Sequence, residues 1–265
     1  FLAQKISGQW DWHYTDGTLA GTARLDPDTS DGIGLSADPV VIGNKIYYVG
    51  TDTDHGAELW KSDGTGAGTT LVKDIYPGTT GSAVNLLYVV GSKLYFNAND
   101  GTYGSEPWVS DGTSDGTQMM IDLNPGAATS GAGSFSGFAN KILYRANTGS
   151  GIVYYATDAT TFNTESLGYE QCNGMRTEFG NRLILTLQNP TTGCEPAITD
   201  GTTAGTEFLG DLYPGSNSSS STLLAATLTK VYFRATDGTY GDELWVTDGT
   251  IAGTLRLSDF VVGAG

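Results

Sequence analysis

Short apolar runs cut by Gly, Asp, Asn and Ser recur along the whole chain. Around Asp111 this pattern predicts four strands: a over 86–90, b over 93–98, c over 106–110 and d over 117–123. Tyr, Val, Leu, Phe and Thr suit a pleated, packed surface, while Gly91-Ser92, Asn99-Asp100-Gly101 and Asp111-Gly112 supply the reversals. No segment sustains a helical period, so the expected fold class is all-β.

The four-run pattern returns around Asp16, Asp63, Asp158, Asp200 and Asp248, and the six anchors are separated by 47, 48, 47, 42 and 48 residues. A period of about 40 to 50 residues is what one four-stranded propeller blade occupies. The chain is therefore expected to be a single β-propeller domain over 1–265, with about six blades at 1–35, 36–83, 84–131, 132–172, 173–220 and 221–265. Five blades plus a terminal extension is the alternative. Alignment on Asp16 puts Phe1 in the middle of a strand b, so the first blade is expected to be incomplete. At the other end, Asp259 to Gly263 aligns with Asp74 to Gly78, just after a strand d.

Five of the six anchors sit in a segment of the form Asp-Gly-Thr-x-x-Gly-Thr, and Asp158 in the weaker copy Asp158-Ala159-Thr160. Asp accepting backbone N–H groups, Gly at positive φ and Thr opening the next strand make it a c-to-d hairpin. The strand-c aromatic position reads His13, Trp60, Trp108, Tyr155, Ala197 and Trp245, and Trp is expected to pack between sheets. The preceding acidic position reads Asp11, Glu58, Glu106, Val153, Glu195 and Glu243. Strand b opens with Lys45, Lys93, Lys141, Arg182 or Lys230, and strand d often closes with Asp74, Asp122, Asp211 or Asp259. One weak ion pair per repeat between these two sets is expected.

Residues 58–65 and 243–250 read Glu-Leu-Trp-x-x-Asp-Gly-Thr, and residues 106–113 differ only at Pro107. On these residues the chain resembles the ELWxxDGT repeat proteins, found mostly among secreted or surface proteins of bacteria. The resemblance covers essentially the whole chain and implies an extracellular, propeller-like domain. It implies no activity, because a fold does not fix a function.

Charge narrows the partners. With 13 Lys+Arg against 29 Asp+Glu the net charge is −16, a field that repels nucleic acid and anionic membrane. No apolar run approaches the roughly 20 residues of a membrane span. The chain begins at Phe1 with no charged or apolar leader before it, as expected of a processed or excised segment.

The candidate chemistry follows from the same register. Cys172 lies in the strand-a region and Cys194 at the start of strand c of the fifth repeat; they are either two buried thiols or, as the register favours, one disulfide closing a ~20-residue loop. Asp52-Thr53-Asp54-His55-Gly56-Ala57-Glu58 resembles the start of a calcium loop, with Asp52, Asp54 and Glu58 as ligands; an ordinary turn is the alternative. Asp26, Asp28 and Asp31 form a second acidic cluster. Two histidines, His13 and His55, with no nucleophilic triad beside them, and carboxylates that recur by symmetry, lead to the expectation that the chain is not an enzyme. Sugar binding needs an aromatic platform and a few polar groups. Tyr103 and Tyr240 in the b-to-c turns, beside Asp100, Asp237, Glu106 and Glu243, fit that need. Asn217-Ser218-Ser219 is a glycosylation sequon. The expected function is extracellular, secreted or cell-surface recognition or adhesion, with glycans or surface proteins as partners. The alternative is a subunit of a surface layer or filament that self-associates through strand edges.

Overall fold

The computed structural model describes residues 2–4, 10–15, 17–24, 38–149 and 151–257. Phe1, Asp16, the cluster Asp26, Asp28 and Asp31, and Asp259 lie outside them. Every regular element described is a β-strand, so the all-β expectation holds. β1 (Leu2–Gln4), β2 (Trp10–Tyr14) and β3 (Ala23–Arg24) form a three-stranded sheet. β4 (Val40–Ile42), β5 (Lys45–Asp52), β6 (Gly56–Ser62) and β7 (Thr70–Lys73) form a four-stranded one, as do β8 (Asn85–Val90), β9 (Lys93–Asn99), β10 (Ser105–Ser110) and β11 (Gln118–Met119). A seven-stranded sheet runs through β12 (Gly133–Phe138), β13 (Lys141–Asn147), β14 (Ile152–Asp158), β15 (Thr164–Phe179), β16 (Arg182–Asn189), β17 (Gly193–Thr199) and β18 (Glu207–Phe208). The last sheet holds β19 (Thr222–Ala226), β20 (Val231–Thr236), β21 (Asp242–Thr247) and β22 (Leu255–Arg256).

Neighbouring strands pair antiparallel in simple chain order, as short turns dictate. The fourth strand of a repeat is shorter than its sequence pattern. β11 covers two residues of the expected 117–123, because the Thr117 hydroxyl closes the preceding turn and the Leu123 N–H leaves the ladder for the Glu106 carboxylate.

β15 departs from the repeat. Up to Glu170 it pairs with β14, and from Glu170 onward with β16, so one strand serves as strand d of the fourth repeat and strand a of the fifth. The expected boundary after residue 172 therefore falls inside a continuous strand, and the loop it omits accounts for the 42-residue interval.

The chain divides into two compact units, Phe1–Phe135 with Ala146–Ser150, and Ser136–Arg145 with Gly151–Gly265. In the first, Tyr47, Val49 and Leu59 pack on Leu94, Phe96 and Trp108. In the second, Phe138, Leu143 and Tyr154 pack on Leu183, Leu185 and Leu187, while Ile184 and Ile198 pack on Val231, Phe233 and Trp245. The alternation of β16 thus feeds two cores, one from each face. Trp108 and Trp245 are buried in these layers, as expected of packing residues, and Trp60 is buried beside Tyr48 of its own sheet.

Candidate functional site

The acidic residue of the repeat motif is enclosed. Glu58, Glu106 and Glu195 have no exposed surface, and Glu243 is 1% exposed. Glu58 accepts from the Tyr76 N–H at 3.0 Å and the Ser82 hydroxyl at 2.5 Å. Glu106 accepts from the Leu123 N–H at 3.0 Å and the Ser130 N–H at 2.9 Å. Glu195 accepts from the Leu212 N–H at 3.2 Å and the Ser219 N–H at 3.0 Å. Each carboxylate thus clamps the connection leading from strand d to the next strand a. Burial raises the pKa of all three against these bonds, that of Glu195 to about 7. The placement corrects the surface roles expected of Glu106 and Glu243 and the metal role expected of Glu58. The signal was present in the sequence as a Glu-to-Ser spacing of 24 residues, 58 to 82, 106 to 130 and 195 to 219. Where Val153 replaces Glu, the clamped connection is absent and β15 runs straight through.

The Asp-Gly-Thr segment is a closed clasp. Asp111 Oδ1 accepts from the Thr113 N–H at 2.9 Å and its hydroxyl at 2.6 Å. The Thr113 hydroxyl oxygen accepts from the Gly116 N–H, the Thr117 hydroxyl donates to the Thr113 carbonyl, and Thr117 also meets Ser110. The same bonds recur at Asp63, Asp200 and Asp248. Gly112 takes φ of 85°, as the turn expectation required. The clasp also receives the preceding sheet: Lys61 donates to the Gly112 carbonyl at 2.7 Å and Lys73 to the Thr117 carbonyl at 2.8 Å.

The strand-b cations face these clasps, which corrects their expected pairing with the strand-d acids. Lys230 lies 3.5 Å from Asp248, and Lys45, Lys93 and Arg182 lower the pKa of Asp63, Asp111 and Asp200 after the larger effect of the threonine bonds. Asp122 and Asp211 instead accept from the Gly126 and Gly215 amides of the Pro-Gly turns.

In the b-to-c turns, Asp100 Oδ1 accepts from the Thr102 and Tyr103 amides at 2.8 and 2.9 Å, and Asp237 Oδ1 from the Thr239 and Tyr240 amides, both at 2.9 Å. Burial opposes ionisation of Asp237, but the two amides and Arg256 outweigh it and lower its pKa. Tyr103 stands out from this frame with 41% of its surface exposed. Tyr240 does not offer a free platform: the Arg256 guanidinium lies 3.7 Å above its ring and reaches Asp237 at 3.5 Å. A tyrosine from the previous repeat braces each turn, Tyr76 against Gly101 and Tyr213 against Gly238, where a Cβ would lie 2.8 and 2.2 Å from the ring.

The expected calcium ligands are not brought together. Asp52 Oδ1 accepts from the Asp54 and His55 amides, and its carboxylate pairs with the His55 ring at 2.8 Å, which raises the His55 pKa. Glu58 is spent on Tyr76 and Ser82. Among the described residues no group of three or more His, Cys, Asp or Glu side chains is placed to hold a metal.

Cys172 and Cys194 form a disulfide with 5.9 Å between their Cα atoms. Asn217 is exposed, while Ser219 of its sequon is buried in the Glu195 clamp, so that sequon serves the scaffold whether or not it carries a glycan.

No protein-family model matches the chain, and no curated protein matches it. Similar solved structures include a puromycin hydrolase mutant complexed with PGG, 12% identical with a TM-score of 0.47, where the match covers 96% of this chain and 42% of that one. A study of two prolyl endopeptidases gives 11% identity, a TM-score of 0.45 and coverage of 97% and 41%. TolB from Acinetobacter baumannii gives 14%, 0.40, and 99% and 64%. The chain thus spans less than half the length of the hydrolase and peptidase structures. The expectation that the chain is not an enzyme is corrected beside them, since the hydrolase and the endopeptidases are enzymes. At these identities they assign no activity to this chain.

Proposed function

We propose that the chain is an extracellular recognition or adhesion module that binds carbohydrate. The observation that carries this reading is Tyr103, an exposed aromatic ring on a turn whose backbone is fixed by Asp100 and braced by Tyr76. A rigid ring beside Thr and Asp oxygens suits the apolar face and hydroxyls of a pyranose. The disulfide is in keeping with an oxidising, extracellular setting. The successive repeats, spaced 42 to 48 residues apart, are read as blades of a β-propeller. A glycan array tests the reading: hits that disappear in Tyr103→Ala support it, and an array without hits overturns it.

A second reading, self-association through strand edges, is favoured by Ile251, Leu255 and Leu257, all exposed beside the edge strand β22. Concentration-dependent polymers in electron micrographs, abolished by Leu255→Lys, would support it.

A further inference from the structure

The most irregular place in the described sheets is the middle of β15. Gln171 pairs with Leu187 and Arg176 with Leu185, so the four residues 172–175 stand opposite Thr186 alone. This wide bulge is held at both ends. Cys172 is tied to Cys194, and the Met175 N–H donates to the Thr186 hydroxyl and to the Ser221 carbonyl, each at 3.1 Å. At Gly174 a Cβ would lie 2.2 Å from the Thr186 hydroxyl, so the close approach requires glycine. Asn173, between the two anchors, is exposed. Bulges that re-aim a side chain in this way recur beside binding sites.

Two open clefts meet at Asn173. One, of about 580 Å³, is lined by Tyr154, Arg176, Thr186 and Thr222 among others. The second, of about 440 Å³, is lined by Arg145, Gly151, Ile152 and Glu170. The lining is unusual for this molecule. In a chain of net charge −16 with 13 Lys+Arg, two arginines converge here, and both act on the buried Tyr154 phenol, whose pKa burial raises and Arg176 and Arg145 pull back.

We propose that this double cleft binds an acidic saccharide, a uronic-acid carboxylate lying against Arg176 and Arg145 and sugar hydroxyls meeting Asn173, Thr222 and Glu170. Guanidinium groups give strong charge-assisted bonds to a carboxylate. Hydroxyl and amide side chains that both donate and accept, with a carboxylate at the far end, match the remainder of a sugar ring. The net field of the protein disfavours anions elsewhere, so the two arginines also confer selectivity for this place. The site shares no residue with the Tyr103 turn and takes a ligand of different charge.

Calorimetric titration with trigalacturonate, galactotriose and triglutamate tests it. The expected result is trigalacturonate binding that weakens with salt, with galactotriose and triglutamate weaker by about tenfold or more. Arg176→Gln and Arg145→Gln, folded by circular dichroism, each lower trigalacturonate affinity by about tenfold, Arg176→Lys restores part of it, and Tyr103→Ala leaves it unchanged. Cys172→Ser combined with Cys194→Ser, still folded by circular dichroism, weakens binding by releasing the bulge. Absence of trigalacturonate binding, equal binding of galactotriose or triglutamate, or arginine variants that bind like the parent would each overturn the proposal. A neutral-glycan response lost in Tyr103→Ala would leave the turn site standing whatever the outcome here.

Discussion

Glu106 shows how a conspicuous motif residue acts as scaffold. Its two oxygens hold the Leu123 and Ser130 amides where no water reaches. Glu106→Ala orphans both amides, at about 1 to 3 kcal/mol for each buried unsatisfied group, so the expected loss is about 3 kcal/mol by urea unfolding. Glu106→Gln keeps one carbonyl acceptor and is expected to lose about half as much. Equal losses for the two variants would show that side-chain volume, not the clamp, sets the cost.

At the scale of the element, the clasp assigns different duties to neighbouring glycines. A Cβ on Gly68 would lie 1.9 Å from Asp63 Oδ1, whereas one on Gly66 meets nothing within 4 Å. Gly68→Ala is therefore expected to open the clasp and cost about 2 kcal/mol, while Gly66→Ala falls between neutral and about 1 kcal/mol stabilising, read from thermal melts of the two variants. Strand order, the turns and the Trp layers were legible in the sequence because period-2 runs, Asp-Gly reversals and large aromatics act within a few residues of themselves. The Glu clamp was not, since its partner lies 24 residues away and a recurring carboxylate reads equally well as a surface feature. The fusion of two repeats in β15 had its signs, the 42-residue interval and Val153, yet these acquire meaning only once the clamp is known. The bulge opposite Thr186 had none, because the register between β15 and β16 sets it and not any local pattern of residues. Tyr240 had the right turn but a neighbour, Arg256, that no local pattern announces.

At the scale of the whole molecule, two families of carboxylates oppose each other in pH. Bonds from the threonine hydroxyls hold Asp63, Asp111, Asp158, Asp200 and Asp248 below the ordinary 3.8. A depressed folded pKa gives stability that is present above that value and is lost as pH falls below it. Burial holds Glu58, Glu106 and Glu195 above 4.5. A raised folded pKa gives stability that is complete below 4.5 and is lost as pH climbs, for Glu195 through about 7. Self-repulsion of a chain with net charge −16 at neutral pH acts in the same direction as the buried glutamates. The melting temperature is accordingly expected to peak between about pH 4 and 5 and to fall on both sides, measured by calorimetry from about pH 3 to 8. Glu195→Gln removes one titrating group and should flatten the fall between pH 4.5 and about 7 while leaving the acid limb in place. A maximum at neutral pH, or a neutral limb unchanged in that variant, would show that the clamp carboxylates stay ionised at their buried positions.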